Sequence, residues 1–257
     1  MLGAICGDVI GSVYEHRQIK TKVFDLFDPF CRFTDDTVLT VAVAYAIVNE
    51  TPYSDALRSI GRLHPHAGYG RSFIDWLRSD EPGPYGSWGN GSAMRVSPVG
   101  FAFDTEADVL AEAERTAVVT HDHPEGVKGA QATALSVFLA RKGATKETIR
   151  ERVGRGFEYD LNRSVKDIRP SYAFDVSCQG SVPQAIIAFL DSESYEDAVR
   201  NAISLGGDSD TLACIAGGIA EAFYGGVPDP IWSAVKPLLT PDLLGVIDSF
   251  RDRLGTG

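Results

Sequence analysis

Apolar residues recur at intervals of three and four along most of the chain, which is the spacing that places them on one face of an α-helix. The pattern is clear in Val38, Val41 and Tyr45, and it returns over 107–118 and 134–139. Alternating patterns that would indicate strands are rare, so the sequence predicts an all-α fold. The predicted helices cover 1–16, 36–50, 54–63, 70–78, 105–119, 124–142, 145–154, 183–190, 194–205, 210–225 and 240–253.

The first predicted helix carries a glycine face. Gly3, Gly7 and Gly11 are spaced four residues apart, so they lie on one side of the helix. A glycine has no side chain beyond Cα, which lets another backbone come unusually close. We therefore expect this helix to be central and tightly packed.

Two stretches do not have a helical pattern. Residues 79–92 concentrate proline and glycine around two aromatic residues, and residues 156–181 form a polar, mixed segment. Ordering such long loops costs backbone entropy that burial does not obviously offset, so loops of this length in a compact domain usually have a function.

Length and composition indicate one soluble globular domain over 1–257. The 257 residues contain no linker-like stretch, with 44% hydrophobic and 23% charged residues. No segment approaches the roughly 20 apolar residues that span a bilayer. The apolar N-terminus lacks a basic start and contains Asp8, which favours a buried helix over a signal peptide.

The cysteines indicate the cellular compartment, and the net charge argues against some binding partners. The four cysteines form no CxxC pair, which is typical of buried thiols in a reducing compartment and predicts a cytoplasmic protein. The net charge of −11 and the lack of a basic patch argue against binding to nucleic acid, except as a modified substrate, or to an anionic membrane.

Two acidic motifs stand directly before predicted helices. They are Thr34-Asp35-Asp36-Thr37 and Asp208-Ser209-Asp210-Thr211. Each alone is explained by helix capping, because Asp and Thr are favoured caps and acids complement the helix dipole. The second helix, however, is rich in small residues and uncharged for nine residues after Thr211, which indicates deep burial. Four buried carboxylates would need partners, and no cluster of basic residues adjoins either motif.

Divalent cations would meet that need. Carboxylate and hydroxyl oxygens are the ligands preferred by Mg²⁺, Mn²⁺ and Ca²⁺, and neither motif offers a thiol or imidazole. Two sets of three oxygens suggest two metal ions sharing a site. Adjacent Asp35 and Asp36 cannot both face one ion from a regular helix, so either the first turn is distorted or the two residues serve different ions.

Five segments together resemble the ADP-ribosylglycohydrolase family over nearly the whole chain. In order they are GAICGDVIGSVYE at 3–15, TDDT at 34–37, YGSWGNGSAMR at 85–95, THDHP at 120–124 and GGDSDT at 206–211. The resemblance implies a single-domain orthogonal helical bundle with a two-metal centre, Mg²⁺ being expected and Mn²⁺ the alternative. The metal ligands that it implies are Thr34, Asp35, Asp36, Asp208, Asp210 and Thr211.

The resemblance also implies catalytic and substrate-binding residues. Asp35, Glu15 and Asp210 are the expected catalytic residues, although Glu15 read alone is a solvated acid at a helix end. In the glycine-rich loop, backbone N–H groups would approach a diphosphate, whereas Asn90-Gly91 read alone is a plain turn. A zinc site at His121-x-His123 is rejected, because no third ligand lies nearby. The expected substrate-binding residues are Tyr85, Gly86, Ser87, Trp88, Gly89, Asn90, Gly91, Ser92, Met94, His121 and Gly207.

The expected reaction is hydrolysis of the glycosidic bond between ADP-ribose and an acceptor, with a monomer acting on an ADP-ribosylated protein or a small ADP-ribose conjugate. Val13-Tyr14-Glu15 resembles the serine-directed branch of the family, and 121–124 resembles the arginine-directed branch, so both bond types stay open. Two alternatives are a bimetal phosphoesterase and a non-catalytic ADP-ribose-binding relative.

Overall fold

The computed structural model describes residues 1–80 and 83–255, and within them the prediction of an all-α fold is confirmed. The extended pairing found there is an isolated bridge between Gly89 and Ser177. The helices are α1 Leu2–Gly11, α2 Asp35–Asn49, α3 Tyr53–Leu63, α4 Arg71–Arg78, α5 Gly91–Met94, α6 Ser97–Ala102, α7 Glu106–Ala117, α8 Pro124–Arg141, α9 Lys146–Phe157, α10 Val165–Ile168, α11 Cys178–Leu190, α12 Tyr195–Ile203, α13 Ser209–Tyr224, α14 Asp229–Val235 and α15 Pro241–Arg253.

Helices α1 and α13 form the centre of the fold and touch backbone to backbone. A Cβ atom built on Gly7 would lie 2.1 Å from the carbonyl oxygen of Ala213, and one on Gly3 would lie 2.3 Å from that of Gly217. These distances are too short for any side chain, which confirms the predicted glycine contact. The packing also sets the position of Asp8, which follows Gly7 directly.

Helix α13 is surrounded by other helices. Besides α1, it contacts α8, α11 and α12, and every residue from Ser209 to Ala220 is buried. The N-terminal end of α13 therefore lies inside the protein, as its lack of charge predicted. Any carboxylate at that end must find a partner without much help from water.

The starts of α2 and α13 are capped differently. At α2, the Thr34 hydroxyl accepts a hydrogen bond from the backbone N–H of Asp36 at 3.3 Å. At α13, Asp208 occupies the cap position, but its side chain makes no capping bond. Its carboxylate is therefore available for contacts across the interior.

Several predicted boundaries were wrong. The first helix ends at Gly11, not at 16, and the short helices α5, α6 and α14 were missed because each is too brief for a periodic pattern. The predicted loop 156–181 contains α10 and the start of α11 at Cys178, and the predicted loop 79–92 gives way to α5 at Gly91; its residues 81 and 82 lie outside the described residues. Proline favours a helix start, yet Pro183 lies inside α11.

Two predictions about the setting can be compared with the structure. All four cysteines are free and buried, as expected for core thiols. None of the helices in the described residues is both long and apolar enough to cross a membrane.

Gly7→Ala is expected to destabilise the protein by about 1–3 kcal/mol or more, because the added methyl group overlaps the backbone of α13. The matched control is Gly245→Ala, where an added Cβ meets nothing within 4 Å on the exposed face of α15. That substitution should stabilise by roughly 0.5–1 kcal/mol through helix propensity. Urea denaturation measures the free energy of unfolding of both variants. Equal effects of the two substitutions would contradict the close α1–α13 contact.

Candidate active site

Asp8 holds the start of α2 against α1. Its Oδ1 accepts the Thr34 hydroxyl at 2.6 Å, and its Oδ2 accepts the backbone N–H groups of Thr34 at 2.9 Å and Thr37 at 3.1 Å and also the Thr37 hydroxyl. Burial raises the pKa of Asp8, and these hydrogen bonds oppose the rise. The carboxylate thus serves four donors at the N-terminus of α2 and fixes where Thr34 and its neighbours point.

The two acidic motifs meet at this point. Carboxylate oxygens of Asp8, Asp36 and Asp210 lie within 4.8 Å of one another, all three residues being buried. The Thr211 hydroxyl lies 3.3 Å from Asp36 Oδ2. Residues separated by more than 170 positions in the sequence are therefore side by side, which is the convergence that the acidic motifs suggested.

Asp208 and Asp210 add to the crowding. The carboxyl groups of this pair lie within hydrogen-bonding reach of each other. Burial, followed by the charges of Asp208 and Asp36, raises the pKa of Asp210 well above its ordinary value. Two carboxylates in such contact must share a proton or a cation.

Asp36 has an oxygen atom with no partner. Its Oδ1 is buried and accepts no hydrogen bond within the described residues. Burial, followed by repulsion from Asp8, Asp35 and Asp208, raises the pKa of Asp36 well above its ordinary value. An unsatisfied carboxylate oxygen facing other acids is the donor that a hard cation requires.

Asp35 and Glu15 lie at the more open side of this cluster. Burial, followed by the charge of Asp8, raises the pKa of Asp35 to about 8. The Glu15 side chain is 26% exposed, and burial together with the charge of Asp208 raises its pKa. Asp35 is thus less buried than Asp36, although the two are adjacent at the start of α2.

Among the three clustered acids, Asp36 is freer than Asp8 to bind a cation. Both oxygens of Asp8 already accept hydrogen bonds from Thr34 and Thr37, so Asp8 chiefly orients the cluster, although one of its oxygens lies within 4.8 Å of those of Asp36 and Asp210. The hydroxyl of Thr34 gives its proton to Asp8 and accepts from the backbone N–H of Asp36, which leaves one lone pair on its oxygen. Oxygen donors of this kind, without imidazole or thiolate, are those that a hard divalent cation prefers.

The loop that precedes α5 is pinned on both sides. On one side, Tyr85 N donates to Thr120 O at 3.3 Å, and Gly86 N donates to the Asp122 carboxylate at 2.7 Å. On the other side, Asn90 N donates to Val176 O at 2.8 Å, within the bridge that pairs Gly89 with Ser177. This segment, residues 83–92 and called the ligand loop below, is thus held in place although only its last two residues, in α5, have regular structure.

Asn90 connects the ligand loop to the acidic cluster. Its Nδ2 donates to Asp208 Oδ2 at 2.7 Å and to the Ser181 hydroxyl at 3.1 Å. Asn90 is buried, with 7% of its surface exposed. Asn90 therefore lies between the loop and the predicted metal ligands. A movement of the loop is coupled through the Asn90 amide to the position of the Asp208 carboxylate.

His121 and two aromatic residues lie beside the glycines of the loop. A Cβ built on Gly91 would lie 3.1 Å from His121 Nε2, and the ring of Tyr85 is 5.9 Å from the His121 ring. Trp88 is 54% exposed, with its ring 5.8 Å from that of His123. An exposed indole at the loop is a surface on which a flat ring can stack.

The other predicted substrate-binding residues are placed differently. The Ser87 hydroxyl accepts from Gly89 N at 3.1 Å, and the buried Ser92 hydroxyl donates to Gly126 O at 2.7 Å. Met94 is buried, with its sulfur 3.9 Å from the Thr211 hydroxyl. Gly207 packs on a tyrosine that the sequence did not single out, because its Cβ would lie 2.5 Å from the Tyr172 ring.

Sequence reasoning missed four features of the site. Asp8 gave a signal as the one acid in an apolar first helix, but its role depends on contacts with α2. Gly68, at φ +106°, places its backbone so that a Cβ would lie 3.4 Å from Asp35 Oδ1. Tyr172 and the buried Arg95 showed no pattern, since each acts through contacts formed only in the folded chain.

Comparisons with known proteins agree on one family. The model of the family described as ADP-ribosylglycohydrolase matches residues 1–256. ADP-ribosylhydrolase ARH3 of Bos taurus is 29% identical, over 88% of this chain and 84% of its own. ADP-ribosylarginine hydrolase Tri1 of Pseudomonas putida is 29% identical, over 90% of this chain and 71% of its own.

A solved structure shows the same fold. It is described as an ADP-ribosylglycohydrolase-related protein complex, and it superposes with a TM-score of 0.72 at 23% identity. The match covers 99% of this chain and 96% of that chain. The predicted type of helical bundle is therefore confirmed.

In the metal-free protein, stability is expected to fall as pH rises from about 4 to 8. Folding raises the pKa of Asp35 from 3.8 to about 8. Across that window, the folded chain retains a proton that the unfolded chain has released. The stabilisation is complete below pH 4 and is lost as pH rises through 8, by up to about 1.4 kcal/mol per pH unit for one proton.

Denaturation in the presence of a chelator at several pH values measures this loss. Asp35→Asn should remove part of the pH dependence, while the exposed control Asp248→Asn should follow the unsubstituted protein. Identical pH slopes for Asp35→Asn and the unsubstituted protein would contradict the electrostatic description of the cluster.

Proposed function

Because the chain belongs to the ADP-ribosylglycohydrolase family, we propose that it is a hydrolase that uses two divalent cations to cleave ADP-ribose from an acceptor. The observation that carries the proposal is the convergence of oxygen donors from the starts of α2 and α13. Their carboxylates are buried and repel one another. In the part of the chain that the structure describes, none of them is hydrogen-bonded to a basic side chain. Such a cluster is suited to binding cations and is poorly suited to any role without them.

The proposed ligands are Thr34, Asp35, Asp36, Asp208, Asp210 and Thr211. When bound, Mg²⁺ or Mn²⁺ would neutralise the carboxylates and polarise oxygen atoms of the distal ribose. Asp8 prepares the site by fixing Thr34, and Asn90 does the same for Asp208.

Glu15 and Asp35, at the open side of the cluster, would carry out the proton transfer of the reaction. Glu15 and Asp35 are only partly buried, and both lie within the electrostatic field of Asp208. In the proposed reaction, the bond from the anomeric carbon of the ribose to the acceptor breaks as a water oxygen bonds to that carbon. A carboxylate of Glu15 or Asp35 takes a proton from the water, and that proton is returned to the departing acceptor, so that the carboxylate is regenerated. Asp210 supports the reaction as a ligand whose charge faces the developing positive charge on the sugar.

The ligand loop would hold the rest of ADP-ribose. Its glycines leave room for backbone N–H groups and His121 Nε2 to approach a diphosphate. The exposed Trp88 offers a stacking face for the adenine. The loop and the cluster are joined through Asn90, so a ligand that bridges them would orient its anomeric carbon beside Glu15 and Asp35.

The acceptor class stays open between two bond types. The name of the Pseudomonas putida relative places its activity on ADP-ribosylarginine, whereas the bovine relative is named only as an ADP-ribosylhydrolase. We propose an ADP-ribosylated protein side chain of the arginine or serine type, or a small conjugate with the same bond. A monomer in the cytoplasm is the proposed working form, in accord with the free, buried thiols.

Asp36→Asn and Asp210→Asn are each expected to lower turnover of ADP-ribosyl substrates by at least about a thousandfold, because each removes a charged ligand from the metal site. The same variants should bind Mg²⁺ and Mn²⁺ far more weakly in calorimetric titrations. The control is Asp252→Asn, an exposed acid on α15 that should leave both unchanged. Full activity of Asp36→Asn, or activity that survives exhaustive chelation, would contradict the proposal.

A panel of substrates separates the proposed reaction from its alternatives. ADP-ribosyl-arginine, ADP-ribosyl-serine and a simple phosphodiester are each incubated with the Mg²⁺-loaded protein, and products are identified by mass spectrometry. The proposal expects free ADP-ribose from at least one of the first two and no cleavage of the phosphodiester. Cleavage of the phosphodiester alone would favour a phosphoesterase, and binding of ADP-ribose without turnover would favour a non-catalytic relative.

A further inference from the structure

Arg95 is a buried cation that has no acidic partner among residues 1–80 and 83–255. The side chain is fully buried, and its Nη2 donates to Thr116 O at 2.7 Å and to the Thr120 hydroxyl at 3.0 Å. Its Nε and Nη1 atoms have no hydrogen-bond partner within the described residues. Burial lowers the pKa of Arg95 to about 10, so the group is still charged at neutral pH. A buried charge that stabilises no ion pair calls for a functional explanation.

Thr120 connects Arg95 to His121 through hydrogen bonds. The Thr120 oxygen lies 3.0 Å from Arg95 Nη2 and 2.7 Å from His121 Nδ1. Arginine can only donate, so the Thr120 oxygen accepts from Arg95. When the Thr120 hydroxyl donates its own proton to His121 Nδ1, that nitrogen carries no proton, and the proton of a neutral ring is on Nε2.

The charge of Arg95 favours the same arrangement. A positive charge near Nδ1 stabilises a lone pair on that nitrogen and disfavours an N–H group pointing toward it. Burial, followed by the charge of Arg95, lowers the pKa of His121 well below its ordinary value, so the ring is neutral. Donation from Arg95 also polarises the Thr120 hydroxyl, which strengthens its own bond to His121.

The Nε2 atom faces the part of the ligand loop where side chains are missing. A Cβ on Gly91 would lie 3.1 Å from Nε2, and a Cβ on Gly89 would lie 3.6 Å from it. Glycine at both positions lets the edge of the imidazole lie close to the backbone of the loop. A donor at Nε2 with a buried cation behind it suits an anionic oxygen.

We propose that Arg95 and Thr120 are positioning residues that hold His121 as a hydrogen-bond donor at Nε2 toward the diphosphate of bound ADP-ribose. Neither of the two residues touches the ligand in this arrangement. The inference rests on the proposed function, and it adds how the histidine is prepared for its ligand before the ligand arrives.

One competing arrangement must be excluded. The Tyr85 phenol also lies close to the Thr120 hydroxyl. If Thr120 donated to Tyr85, His121 Nδ1 could donate to Thr120, and Nε2 would present a lone pair to the ligand. That arrangement would repel a diphosphate, so the position of the ring proton decides between the two.

The ring proton is measured directly by long-range ¹H–¹⁵N NMR of the imidazoles in the ligand-free protein. The His121 signals are assigned by their loss in His121→Gln, which is used only for assignment. The expected spectrum shows a neutral ring protonated at Nε2. A ring protonated at Nδ1, or a charged ring at pH 7, would overturn the inference without any reference to activity.

Affinity for ADP-ribose supplies the second test, measured by calorimetry on the Mg²⁺-loaded protein. Thr120→Val removes the hydroxyl at nearly constant volume and should weaken binding by about tenfold. Thr120→Ser retains the hydroxyl and should bind within about twofold of the unsubstituted protein. Mg²⁺ affinity should be the same in all three proteins, which excludes a general loss of structure.

The outcomes separate this inference from the function on which it rests. If the unsubstituted protein does not bind ADP-ribose, the proposed function fails, whatever the tautomer. If it binds, and Thr120→Val binds equally well with the ring proton unchanged, the positioning role of Thr120 is contradicted. If Thr120→Val does not fold, the tautomer in the unsubstituted protein and the affinity of Thr120→Ser still decide the inference.

Discussion

The structure depends on burying several carboxylates at the starts of two helices that meet in the interior. The glycine face of α1 lets that helix lie directly on α13, and the contact carries Asp8 to the start of α2. Asp8 then fixes Thr34 and Asp36 opposite Asp208–Thr211. Repulsion among these buried acids must be relieved by protons or by cations bound between them.

The position of the ligand loop also depends on the acidic cluster. Before α5 it has no helix or strand, yet it is held by a bridge to Ser177 and by Asn90, whose side-chain amide donates to Asp208. The charge of Arg95 is buried with no acidic hydrogen-bond partner in the part of the chain that the structure describes, which is the reverse of the acidic cluster. In the proposed function, the acidic cluster would bind cations and the Arg95 side would suit the diphosphate of the ligand.

Much of this could be predicted from the sequence because it is periodic or local. The helical spacing predicts the fold, the glycine spacing predicts that another backbone lies against the first helix, and the two acidic motifs predict the cluster. The short helices could not be predicted, since four to seven residues do not establish a period. The roles of Asp8 and Arg95 could not be predicted either, because each is a single polar residue whose partners are brought to it only by folding.

The central claim is that the starts of α2 and α13 together bind two divalent cations. The most direct measurement is anomalous X-ray diffraction from crystals of the protein grown with Mn²⁺. The account predicts two strong anomalous peaks, each about 2.0–2.4 Å from carboxylate or hydroxyl oxygens of Thr34–Asp36 and Asp208–Thr211. Mn²⁺ at saturating concentration with no anomalous peak between these segments, or with peaks only at surface acids, would contradict it.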